Sequence, residues 1–263
     1  MPRLALTAAA VLSVFAAQDV SAYQVHVGTF VCDGSQGPTP TGSLGTGLLK
    51  LTLDMGALTV SASGTYQNMQ GNVSTTHIHK GSPTMNGGVM LPLQVTGGTT
   101  GSVFGGGNVT LADANTALSG GAYANIHSSV FPGGEIRGQV ILPWQIWSLG
   151  SLASTGAVPA IECIGGFSSG TTNSLDLSNA PASSSAFLIL GFTSLRAPFK
   201  GGILGPSPDQ ILPFITSASG TITLPYVLPT VPAGIQLWTQ YWVQDAGVPS
   251  GFTSSDTMLG TTQ

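Results

Sequence analysis

Residues 48–54 read "LLKLTLD", in which Leu49, Leu51 and Leu53 alternate with Lys50, Thr52 and Asp54. Successive side chains of a β-strand point to opposite faces, so this stretch presents a row of leucines to a core and a polar row to water. The same period recurs upstream in "YQVHVGTF", where Tyr23, Val25 and Val27 oppose Gln24 and His26. It recurs near the C-terminus in "GIQLWTQYWVQD", where Ile235, Leu237 and Val243 oppose Gln236, Gln240 and Gln244. Clusters such as "DGSQGPTPTG", "TGGTTGSVFGGGN" and "FPGGE" punctuate these runs as turns. No amphipathic helical stripe competes with them, and the reading is an all-β protein of sandwich type.

Composition supports that reading. Charged residues are 6% of the 263, against roughly 25% in an average soluble protein, and there are 37 Gly and 17 Pro. So few Glu, Lys and Arg cannot furnish the wet face of long surface helices. A net charge of −4 with no basic run leaves nucleic-acid binding and anionic membrane surfaces without an electrostatic basis. At the N-terminus, "MPR", the apolar "LALTAAAVLSVFAA" and the small-x-small "VSA" have the layout of a secretory signal peptide over residues 1–22. No later segment has about 18 consecutive apolar residues, so no transmembrane span is expected. A protein secreted to the extracellular space or cell envelope follows.

The chain then divides in two. After "GQVILPWQIW", the small and flexible "SLGSLASTGAVPA" reads as a linker. The expected organisation is a first β-sandwich over 23–147, a linker over 148–159 and a second sandwich over 160–263. Cys32 and Cys163 fall in different halves; an oxidising compartment permits a disulfide between them, and two unpaired thiols are the alternative. Trp238 and Trp242 lie on the polar face of the second half, available to stack on a sugar or another protein or to be covered by the contact between halves.

All four histidines, His26, His77, His79 and His127, belong to the first half. In "TTHIHKGSP", His77 and His79 are two residues apart and therefore share a strand face, with Ile78 turned to the core. His127 sits on the polar side of "AYANIHSS" and supplies a third nitrogen if its strand lies alongside; His26 is a candidate fourth. Three imidazoles suit copper or zinc. The alternative is that these rings hydrogen-bond loop carbonyls and close one end of the sandwich. Glu135 and Arg137 share a face two residues apart, either as a structural ion pair or as a device that guides anions toward a metal. Catalytic motifs are lacking: no G-x-S-x-G elbow opens a helix, "FGGGN" has no P-loop Lys, and the second half has no histidine base.

The ordered set "THIHKGSPTMNGGVMLPL", "ALSGGAYANIHSSVFPGGEIRGQV" closely resembles the CHRD domain, the module repeated in chordin and scattered through secreted bacterial proteins. "QYWVQDAGVPSGFTSSD" is similar to a C-terminal module of secreted planctomycete-like bacterial proteins. The CHRD part is in turn remotely similar to Cu/Zn superoxide dismutase, which implies a Greek-key sandwich. On that similarity His77, His79 and His127 match copper ligands and Arg137 the anion-guiding arginine. The bridging histidine and the zinc-ligand cluster are missing, so dismutase activity does not carry over. The expected function is a non-catalytic extracellular binding or structural module whose partner is an unidentified protein or glycan. The alternative is a copper-binding or redox protein.

Overall fold

The computed structural model describes residues 25–263, and the leader expected over 1–22 lies outside them. The first half contributes nine strands: β1 Val25–Asp33, β2 Thr46–Asp54, β3 Thr59–Gln67, β4 Val73–Lys80, β5 Val89–Gly97, β6 Gly101–Asn108, β7 Ala122–Ser128, β8 Ile136–Gln139 and β9 Trp144–Trp147. A short helix, α1 (Leu111–Leu118), separates β6 from β7. All the pairings among these strands are antiparallel.

Eight of the strands form a ring in the order β1-β2-β3-β6-β5-β4-β7-β8. The ring closes where Asp33 on β1 pairs with Arg137 on β8. The alternation that opened the reading of the sequence is realised in β2: Leu49, Leu51 and Leu53 are 0%, 1% and 0% exposed. They meet Ile78 from β4, Ala124 and Ile126 from β7 and Ile136 from β8 inside the ring. Each of these residues faces inward because its neighbours in the chain face out, and that parity sets the outer face on which the histidines stand.

Ten further strands follow: β10 Ala160–Ile164, β11 Thr172–Ser178, β12 Ser185–Gly191, β13 Ser194–Phe199, β14 Gly202–Pro206, β15 Gln210–Ile215, β16 Pro225–Val227, β17 Gln236–Gln244, β18 Phe252–Ser254 and β19 Thr257–Thr261. β9 joins the halves into one sheet. It pairs with the start of β1 through Val27↔Trp144 and with β19 through Gly260↔Trp144, and the sheet then runs on through β17 and β12 to β15. A three-stranded sheet, β10-β11-β16, covers one face of this extension, burying Cys163, Leu175 and Leu177 with Trp144, Leu188, Tyr241 and Val243. The β13–β14 hairpin covers the other face, where Ile189, Leu204 and Trp242 pack together. Residues 148–159 have no strand or helix; there Ser154 donates to the Asp245 carboxylate from its backbone N–H (2.8 Å) and its hydroxyl (2.6 Å).

Several expectations are corrected. α1 was not foreseen: Thr110 caps it, accepting from the Asp113 N–H at 3.1 Å, and its small buried residues Ala114 and Ala117 give too narrow a stripe to register as amphipathic. The strand read from "GIQLWTQYWVQD", β17, is not half-wet. It is covered on both faces, so Gln240 is fully buried and bonded to the Gly205 N–H and to the carbonyls of Ile203 and Ser255. Trp238 and Trp242 are accordingly covered, Trp238 by Trp147 (4.8 Å between ring centroids) and Trp242 by Phe199 (5.0 Å). Of the two alternatives for the cysteines, the structure has free thiols, with Cys32 and Cys163 each buried in a different apolar cluster. Burial pushes both thiols well above the ordinary range.

Candidate metal centre

β4 and β7 are neighbours in register Thr75↔His127, His77↔Asn125 and His79↔Tyr123. With Ile78, Ala124 and Ile126 committed to the core at 0% exposure, His77, His79, Tyr123, Asn125 and His127 all fall on the outer face. Between β4 and β5 the register shifts at Ile78/His79, from Ile78↔Leu91 to His79↔Val89. Such a bulge re-aims a side chain, here the second histidine of the pair.

The three rings converge. One nitrogen from each of His77, His79 and His127 can be chosen so that all three lie within 4.8 Å of one another. Nδ1 of His77 is 3.3 Å from Nε2 of His127. Metal–nitrogen bonds of about 2.0–2.1 Å place neighbouring ligand nitrogens roughly 3.3–3.5 Å apart in tetrahedral or trigonal geometry, so this separation is already that of a ligand pair. The ring centroids are 5.2–6.0 Å apart and no two rings stack face to face.

The remaining nitrogens are anchored. Nδ1 of His79 is 3.0 Å from the Gly87 carbonyl, and Nδ1 of His127 is 2.9 Å from the Pro132 carbonyl. A carbonyl only accepts, so Nδ1 of each ring carries the proton and Nε2 presents a lone pair. Nε2 of His79 is buried and has no hydrogen-bond partner. It is one of several buried side-chain atoms without a partner, and the one that belongs to this cluster. Burial, then the neighbouring His127 and His79, hold the His77 pKa below its ordinary value; burial also lowers that of His79, assisted by His127 and Arg137 and opposed by the Gly87 carbonyl. Neutral rings are the ligand form.

His26 does not join the cluster. It lies on β1 opposite Leu53 and Gln145, in a recess lined by Leu118, Leu142 and Pro143, and burial lowers its pKa. Among the described residues, no Cys, Asp, Glu or fourth His completes the three-histidine group.

Glu135 and Arg137 do not form an ion pair. The Glu135 carboxylate accepts from the Ser43 hydroxyl and the Gln70 N–H, each at 2.6 Å, and is 1% exposed. Arg137, 5% exposed, instead donates to the carbonyls of Ser82 (2.7 Å) and Met85 (3.2 Å) and to the Asn86 side chain (2.8 Å). Its guanidinium carbon lies 3.4 Å from the centroid of the Tyr123 ring, which stacks on His79 at 5.1 Å with an interplanar angle of 10°. A guanidinium so covered and so bonded is a clamp on the 81–88 loop, the loop that also holds His79 through Gly87. Its geometry does not suit anion guidance. Sequence reading missed this layer: Tyr123 stands four residues before His127 on the same face, and that spacing was the available signal. Gly134 has the positive φ expected of its turn (+118°), and a Cβ there would fall 2.1 Å from Oδ1 of Asn125.

The stretch that carries this histidine cluster is similar to a known family. The family model described as the CHRD domain matches residues 28–140, the stretch that forms the ring. No curated protein matches the chain. Among solved structures, one described as "Crystal structure of tetra-tandem repeat in extending region of large adhesion protein" is similar at 12% identity, covering 92% of this chain and 67% of that one, with a TM-score of 0.21. Among the described residues, no helix is long and apolar enough to cross a membrane.

Proposed function

We propose that the protein is a secreted, non-catalytic extracellular binding module whose CHRD domain holds one transition-metal ion, copper or zinc, through His77, His79 and His127. One observation carries this: three imidazole nitrogens gather within 4.8 Å, with Nε2 of His79 buried and unpartnered. Secretion is supported by the CHRD match and by the leader-like N-terminus. The strand order β3-β6-β5-β4 supports a Greek-key description of the ring. The partner outside the metal is an extracellular protein or glycan.

The test is metal titration of the purified chain by calorimetry, with Cu(II) and Zn(II), repeated on His77→Ala and His127→Ala. One equivalent bound by the parent and a loss of at least tenfold in affinity in each variant is expected. Equal, weak binding by all three proteins removes the site.

A further inference from the structure

Resting on the metal-site reading above, we infer that the three-histidine centre is built for monovalent copper in preference to divalent ions. Four features of the site converge on this.

The donor set is three neutral imidazoles with no anionic member. The groups that hold those imidazoles are neutral too: the Gly87 and Pro132 carbonyls, and the Thr75 hydroxyl 3.2 Å from Nε2 of His77. A carboxylate in any of these places would offset part of a dication's charge. The described carboxylates closest along the chain are engaged elsewhere, Glu135 with Ser43 and Gln70 and Asp113 with Lys80.

The charge that does face the cluster is positive. Arg137 stacks on Tyr123, and Tyr123 stacks on His79. The centre is also partly enclosed, with His127 8% exposed. The cost of bringing an ion out of water grows with the square of its charge, so it is about fourfold larger for a dication than for a monocation of similar size.

Finally, the coordination number fits. Among the described residues only three His, Cys, Asp or Glu side chains meet at the site. Zn(II) on three histidines still needs a water or outside ligand in its fourth position, whereas three imidazoles complete the coordination shell of Cu(I). Neutral surroundings, an adjacent cation, enclosure and three ligands all act in one direction.

The experiment is an anaerobic competition on the full chain. The metal-free protein is titrated with Cu(I) against a chromophoric Cu(I) chelator, and separately with Zn(II) against a zinc-binding dye. The expected result is one equivalent of Cu(I) held at least 100-fold more tightly than Zn(II). Thr75→Asp, which sets a carboxylate beside Nε2 of His77, is expected to narrow that gap at least tenfold. Zn(II) binding as tight as Cu(I) overturns the inference while leaving the metal site in place. Failure of both ions to bind, or Cu(I) binding unchanged in His77→Ala, removes the metal-site reading itself.

Discussion

Gly87 sits where the 81–88 loop passes over β4. A Cβ built there would lie 2.0 Å from the Lys80 carbonyl oxygen and 2.9 Å from its carbon. Both atoms are backbone within a strand, so neither yields as a side-chain tip would. Restoring a separation of 3.0 Å requires the loop to move by about 1 Å. The Gly87 carbonyl is 3.0 Å from Nδ1 of His79 and its N–H donates to the Tyr123 hydroxyl at 3.3 Å, so that movement strains both contacts. Each hydrogen bond contributes about 1 kcal/mol, and Gly87→Ala should therefore destabilise the metal-free protein by about 1–3 kcal/mol. Loss of an anchoring partner to a ligand histidine lowers metal affinity about 10–100-fold. Gly88→Ala is the matched control, because a Cβ at Gly88 meets nothing within 4 Å. Urea denaturation of the metal-free proteins measures the first quantity and metal titration the second. If Gly87→Ala matches Gly88→Ala in both, the loop does not set the orientation of His79 and the reasoning fails.

Ile78→Ala should cost about 2–5 kcal/mol in urea unfolding, since the fully buried Ile78 side chain fills the ring between the two outward histidines; a change under 1 kcal/mol would deny the inward parity of β4. The pKa values of His77 and His79 lie below the ordinary 6.5, so the unfolded chain binds more protons than the folded one at and below that pH. Stability of the metal-free protein should therefore fall as pH drops from about 7 through 6.5 and below. His77→Ala/His79→Ala should flatten that slope, leaving the portion due to His26, whose pKa is lowered as well. A thiol reagent should find no reactive cysteine in the native protein and two after denaturation without reductant, because Cys32 and Cys163 are buried and unpaired; none after denaturation would establish a disulfide. Arg137→Lys should loosen the 81–88 loop, since an ammonium cannot reproduce the planar fork that reaches Ser82, Met85 and Asn86, and amide exchange over residues 82–88 should rise.

Local pattern determined a good deal of this protein. The Leu49-Leu51-Leu53 row specifies which face of β2 is buried, and the His77-Ile78-His79 triplet specifies that both imidazoles leave the core together, because side-chain direction in a strand depends only on parity. The ordered histidine and "PGGEIRGQ" motifs sufficed to pick out the CHRD domain. What parity cannot supply is which strand lies beside which. Only the tertiary pairing of β4 with β7 sets His127 3.3 Å from His77, while His26, placed on a polar row by its own pattern, pairs with the inward Leu53 and shares the face of the core residues Phe30 and Cys32. The same holds for Arg137. Its spacing from Glu135 suggested a pair, yet the fold draws Glu135 to Ser43 and Gln70 and Arg137 to a loop about fifty residues away in sequence. The covering of β17 on both faces was likewise invisible, since a strand's own residues do not announce the β13–β14 hairpin that will pack over its polar row. Contacts between residues distant in the chain depend on the packing of the whole sheet, and no local stretch encodes them.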